Sequence, residues 1–205
     1  MKKISTSKIR YIMILGPDGC GKTSVANWLV DKSSLKEFKI KEFSFNILPS
    51  FSKIIYGHKR VNKDEGKFLS GMSSPLNFFK GFILAVWYGI DFFLGRLYIK
   101  INGKKIVIFT RSYYDFLYQR AYRNVPPIIY KFFFMIGPKP DLIILPIRKK
   151  ENIYADKPEL SMDEIEFQYK ILMTYFKDKK NFLLLDSTGG IDKTRENLNK
   201  HLNFS

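Results

Sequence analysis

"ILGPDGCGKTS", Ile14 to Ser24, follows directly on an apolar run that begins at Tyr11, and this junction decides the fold. Gly16, Gly21, Lys22 and Thr23 match G-x-x-x-x-G-K-[ST], a pattern that carries chemistry when a strand precedes it and a helix follows. Both flanks are present: "YIMILG" at 11–16 reads as a buried strand and 22–33 as a helix. Glycines at 16, 19 and 21 let the backbone turn its N–H groups around an anion, and the following helix adds the positive end of its dipole. Lys22 then suits the outer phosphates, the Thr23 hydroxyl suits Mg2+, and Ser24 sits beside it at the helix start. The stretch reads as a nucleoside triphosphate site, a Gly-rich turn without nucleotide being the alternative. Asp18 inside the loop is either a turn residue or a group aimed at a substrate hydroxyl or metal-bound water.

Further strand-type runs occur at 40–46, 105–110, 142–147 and 182–187. All but "IKEFSFN" are nearly continuously apolar, the pattern of strands buried on both faces. Helical stretches lie between them at about 75–101, 112–122, about 126–136, 161–178 and 192–203. Ser161 followed by Glu164 has the spacing of a capping box. Strands alternating with helices predict an α/β chain, a three-layer α/β/α P-loop NTPase fold with a five-stranded parallel sheet. Ligands of such sheets bind beyond the carboxyl ends of the strands, which points to the loops after Leu15, Phe109, Ile147 and Asp186.

With 205 residues and 45% hydrophobic content the chain suits one soluble domain, 1–205, with a lid segment around 148–160. Its formal charge of +16 favours anionic partners, although the lysines are scattered rather than blocked. The single cysteine, Cys20, excludes an internal disulfide. The apolar run near the N-terminus is too short for a signal-peptide core and ends in a loop motif, so a cytoplasmic location is expected. "GFILAVWYGI", 81–90, is about half a bilayer span in length and reads as a buried helix; membrane spanning is not expected.

"GPDGCGKT", "IVIFTRSYYD", "PDLIILPI" and "KPELSMDEIEFQYKIL", in that order, resemble the thymidylate kinase group of nucleoside monophosphate kinases. The resemblance is strongest to its divergent branch associated with bacterial surface-polysaccharide synthesis. It implies transfer of the γ-phosphoryl group of ATP, with Mg2+, to a small acceptor that is a nucleoside monophosphate or a sugar or sugar phosphate. It also implies that Asp18 contacts the acceptor and that Arg111, which ends a strand, grips its phosphate; a guanidinium fork at that edge suits the role independently.

Three departures accompany the resemblance. Where the family writes Asp-Arg-Tyr or Asp-Arg-His, this chain has Thr110, Arg111 and Ser112, so an acid thought to support Mg2+ is absent. The loop "NILPSF" lacks the Arg-Glu-Pro signature, which argues against a housekeeping thymidylate kinase. The lid position of an Arg-Lys pair reads Asp156, Lys157, leaving Arg148, Lys149 and Lys150 as the cations for transition-state charge. If 112–122 is a helix, Arg111, Asp115, Gln119 and Arg123 share one face by the i, i+4 rule and offer it to a polar acceptor, with Asp115 partly replacing the missing acid. An amphipathic surface helix is the plainer reading.

The expected catalytic set is thus Lys22, Arg111, Asp18 and Arg148. The triphosphate set is Gly16, Gly19, Gly21, Lys22, Thr23 and Ser24, with Thr23 on the metal. The acceptor set is Asp18, Arg111, Asp115 and Gln119. The aromatic helices from 75 to 136 are expected to serve as core or as a homodimer interface, ahead of a greasy surface near lipid. A nucleotide-binding regulator with decayed catalysis is the competing function, and nucleic acid is not an expected partner.

Overall fold

The computed structural model describes residues 4–5, 9–32, 38–50, 78–101, 105–158 and 160–203. In chain order these form β1 (Ile4–Ser5), β2 (Tyr11–Ile14), α1 (Lys22–Lys32), β3 (Phe38–Glu42), α2 (Phe78–Ile101) and β4 (Ile106–Arg111). Then come 3₁₀ segments at Tyr113–Leu117 and Arg120–Tyr122, α3 (Pro127–Ile136), β5 (Leu142–Ile147), α4 (Lys150–Asp156) and α5 (Met162–Phe176). The chain closes with β6 (Phe182–Asp186), α6 (Gly190–His201) and β7 (Leu202–Asn203). The main sheet is five-stranded and parallel, in the order β3-β4-β2-β5-β6, as the alternating pattern predicts. The chain fills the sheet on one side of β2 and then on the other, so the loop after β2 sits at the topological switch point where ligands bind.

The described residues fall into two compact units. The first comprises Met1–Ile40, Gly103–Thr110 and Pro140–Ser205, the second Lys41–Asn102 and Arg111–Lys139. In the first, alternate strand residues form one layer: Ile12 and Ile14, Ile106 and Ile108, Leu142 and Ile144, Leu183 and Leu185. They pack with Val25, Ala26, Trp28 and Leu29 of α1 and Leu198 of α6. Parallel registers such as Met13↔Phe109 and Met13↔Ile143 hold the central strands together. The Asp141 carboxylate accepts from Arg10 N–H and Tyr11 N–H at 2.8 and 2.9 Å and so fixes the start of β2.

The structure corrects several expectations. Not every apolar run is buried on both faces: Leu184 in β6 is 45% exposed, because β6 ends the sheet order and only its alternate residues reach the core. The second strand spans 38–42 rather than 40–46, since Phe43 and Asn46 adopt φ of 66° and 56° and leave extended conformation. The last helix yields at Leu202, which turns extended and pairs with Ile4 in a two-stranded sheet. Ser161 Oγ accepts from Glu164 N–H as the capping pattern requires, and the Glu164 carboxylate accepts from Gln168. Residues 75–77 of the expected long helix lie outside the described residues.

The largest correction concerns 112–122, which is not an α-helix. Ser112 caps a 3₁₀ turn through a capping box with Asp115, and Gln119 is extended between the two short segments. Tyr113, Tyr114, Phe116, Tyr118 and Tyr122 are all buried. Aromatics that project inward from every side of a segment leave it no solvent face, so the amphipathic pattern does not apply. The i, i+4 face of Arg111, Asp115, Gln119 and Arg123 therefore does not form.

Candidate functional site: the phosphate loop

Between β2 and α1 the chain turns through Gly16, Gly19 and Gly21 at φ of 139°, 90° and 101°, values that residues with a side chain rarely adopt. The turn is also sterically closed. A Cβ on Gly16 would lie 2.6 Å from Cys20 Sγ, and one on Gly19 would lie 3.1 Å from Lys157 Cγ, whereas Gly21 has open space around it. Lys22 is buried, and its ammonium donates to Gly16 O at 2.7 Å, Pro17 O at 2.9 Å and Asp18 Oδ1 at 3.1 Å. Thr23 and Ser24 are exposed at the start of α1, whose first turn holds no acid to cancel the dipole.

Cys20 seats the loop from beneath, packed with Ile153, Leu160 and Ile165. Burial raises its thiol above the ordinary value, more than the nearby Lys22 ammonium lowers it. At pH 8, where an ordinary thiol near 8.5 is partly ionised, the folded protein should therefore resist iodoacetamide, with alkylation at least about tenfold slower than after denaturation. The protonated thiol's contribution is full below the ordinary thiol range and declines as pH rises above it.

Arg148, just after β5, donates from Nη1 to Gly19 O at 3.1 Å and to Asp156 Oδ2 at 2.5 Å. Asp156 therefore pairs with a cation that also reaches the loop after β2. Lys157 adds its aliphatic stem against Gly19. Two residues that the sequence reading passed over complete the support. Tyr169 OH donates to Pro146 O at 3.1 Å and accepts from Arg148 N–H at 3.2 Å, its phenol raised by burial. Ser187 Oγ donates to Ile147 O at 2.8 Å and reaches Cys20 O at 3.4 Å, tying the ends of β5 and β6 to the loop. The position of Ser187 at a carboxyl strand end was a usable signal; nothing local in the sequence marks Tyr169.

Thr110, where the resemblance expects an acid, is buried with a hydroxyl that meets no partner. An orphaned hydroxyl at the ligand edge of a sheet is destabilising unless something polar reaches it. Replacing it in the ligand-free protein should relieve that cost: Thr110→Val is expected to raise unfolding free energy by about 1 kcal/mol in urea melts. A fall of similar size would show that the hydroxyl is satisfied.

In the second unit, Arg111 is buried at the end of β4, where its carbonyl accepts from Phe43 N–H at 2.8 Å. The buried Asp115 carboxylate accepts from Tyr118 OH at 3.0 Å and Ser112 N–H at 3.4 Å, so it holds the turn beyond Arg111. Gln119 is buried there too, and Arg123 is exposed. Asp91 of α2 accepts from Phe45, Ile47 and Leu48 N–H at 2.6, 2.7 and 2.9 Å. It thus gathers the loop after β3, with Lys41 donating to Phe45 O and lying 4.2 Å from the Tyr98 ring centre. Neither Asp91 nor Lys41 stood out in sequence, since each lies in an unremarkable apolar or basic run.

Among the described residues no group of three or more His, Cys, Asp or Glu is arranged to hold a metal. A phosphate-bound cation needs no such cage, and the exposed Thr23 hydroxyl at a helix start fits one. A glycine cradle closed on a buried lysine, between a parallel strand and a helix dipole, defines a P-loop α/β protein. More particularly, the fold is that of the thymidylate kinases. The chain is similar to thymidylate kinase from Candida albicans, with 16% identity, a TM-score of 0.62 and coverage of 94% of this chain and 90% of that one. It is also similar to thymidylate kinase from Ehrlichia chaffeensis, at 13% identity and TM-score 0.56, covering 93% and 97%. No protein-family model and no curated protein matches the sequence.

Proposed function

We propose that the chain is an ATP-dependent phosphotransferase that moves the γ-phosphoryl group of Mg-ATP to a small acceptor, a nucleoside monophosphate or a sugar or sugar phosphate. The observation that carries this reading is the Lys22 ammonium, buried within the loop and satisfied only by two carbonyls and Asp18 in the contacts above. Polyphosphate oxygens are stronger acceptors than carbonyls, so arrival of the triphosphate draws Lys22 onto the β- and γ-phosphates. The same exchange releases Asp18 toward an acceptor hydroxyl. Arg148, already poised on Gly19 O, supplies charge as the γ-phosphoryl leaves ADP and bonds to the acceptor oxygen. Thr23 would hold Mg2+, which would neutralise the phosphates. On the acceptor side Arg111 and Gln119 bind, with Asp115 setting the turn that presents them.

The reading is tested by ADP production from Mg-ATP over a panel of nucleoside monophosphates, sugars and sugar phosphates, with Lys22→Ala as the blank. Turnover on one acceptor that vanishes in the variant supports it and names the substrate. ATP binding with no acceptor-dependent ADP on any member favours a regulator with decayed catalysis, the reading that Thr110 motivates.

A further inference from the structure

β5 outlasts the strand beside it, and one side chain takes over where that strand leaves. β2 ends at Ile14, Leu15 N–H still donates to Ile144 O at 2.9 Å, and the chain then turns into the phosphate loop. β5 continues to Ile147. In a parallel ladder the backbone groups of alternate residues point to opposite neighbours. Ile143 N–H donates to Asn181 O and Ile147 O accepts from Ser187 N–H, both at 2.9 Å, so 143 and 147 serve the β6 side while Ile144 serves β2. On the β2 edge the next backbone groups are therefore Pro146 O and Arg148 N–H, at a level where β2 has already turned away. Proline at 146 removes an N–H that would otherwise face the same gap. Tyr169 OH takes both remaining groups, donating to Pro146 O at 3.1 Å and accepting from Arg148 N–H at 3.2 Å. A hydroxyl suits this place because it donates and accepts at a single atom.

Tyr169 reaches this point from the middle of α5, with its ring packed against the cluster of Cys20, Ile153, Leu160 and Ile165. Cys20 belongs to the phosphate loop, so the ring and the loop rest on one foundation. The two backbone groups that the phenol binds flank Ile147, and fixing Arg148 N–H fixes the direction in which the Arg148 side chain leaves the strand. The guanidinium then reaches Gly19 O at 3.1 Å. A misplacement of about 1 Å in such a group can cost on the order of a hundredfold in a reaction that depends on orientation. We propose that Tyr169 is a positioning residue for Arg148: its hydroxyl stands in for the departed strand and holds the guanidinium where the γ-phosphoryl group of ATP arrives. This assignment deepens, and rests on, the phosphotransferase reading above, in which Arg148 supplies charge to that group.

The experiment is titration calorimetry of the purified full chain with Mg-ATP and with Mg-ADP, on wild type, Arg148→Ala, Tyr169→Phe and the double variant. Mg-ADP lacks the phosphoryl group that Arg148 meets, so the ratio of the two affinities reports on Arg148 without any need for turnover. Wild type is expected to prefer Mg-ATP about tenfold, the scale of one charge-assisted hydrogen bond. Tyr169→Phe keeps the ring and its packing, and should bring the ratio to within about twofold of one, as Arg148→Ala does, with the Mg-ADP affinity unchanged. The double variant should lose no more than either substitution alone, because both remove the same interaction. A Tyr169→Phe protein that keeps the preference for Mg-ATP overturns the proposal. Equal weakening of both nucleotides overturns it as well and leaves the hydroxyl a merely structural role, as do losses that add in the double variant. A wild type that binds both nucleotides alike removes Arg148 from the γ-phosphoryl group and overturns the assignment of Tyr169, while the loop still binds nucleotide. A wild type that binds neither overturns the phosphotransferase reading itself, and this assignment with it.

Discussion

Lys22→Ala is expected to abolish the response of the protein to Mg-ATP. A ligand at 100 times its dissociation constant stabilises by about 2.7 kcal/mol, and a chain of this size gains roughly 2 to 4 °C per kcal/mol, so wild type should melt about 5 to 10 °C higher with saturating Mg-ATP. The variant should show no such shift, because on the proposed function the ammonium that the loop carbonyls hold in place is the group that would bind the phosphates. Lys22→Arg should not rescue it. Carbonyls at 2.7 and 2.9 Å fit a compact point charge, and a planar fork cannot replace it there. Turnover, once the acceptor is found, should fall by about 10² to 10³ or more, the usual cost of removing a donor from developing charge. An unchanged melting shift in Lys22→Ala would mean that nucleotide binds elsewhere.

Asp91→Ala should cause the largest loss of stability of any single polar substitution named above. The carboxylate is buried and accepts from three backbone N–H groups, of Phe45, Ile47 and Leu48. Hydrogen bonds to a charged acceptor contribute about 1.5 to 3 kcal/mol each, and partial exposure of two of these donors lowers the sum to about 3 to 5 kcal/mol. The melting temperature should drop by about 10 °C. Asp91→Asn keeps the oxygen but sets an amide N–H against Phe45 N–H, so about half the loss should remain. The same loop carries Phe43 and Asn46 at positive φ, a conformation that costs energy unless its neighbours hold it. A change below 1 kcal/mol in Asp91→Ala would show that the loop is held by other contacts.

The order of the amino acids settles whatever is written in local rules. Strand, glycine turn and helix are specified within a dozen neighbouring residues, because positive φ, apolar periodicity and a helix start are each properties of short segments. Hence the phosphate loop, the parallel sheet and the ends of β5 were legible, as was Arg111 at a strand edge. The remainder depends on partners far apart in the chain. The 3₁₀ course of 113–122 follows from aromatics that find Phe43, Phe92 and Phe134 in other elements. The role of Asp156 follows from reaching Arg148 and, through it, Gly19. The work of Asp91 follows from a loop more than forty residues earlier. Long-range contacts of this kind leave no periodic trace, since a carboxylate in an apolar run reads the same whether it faces water or gathers three amides.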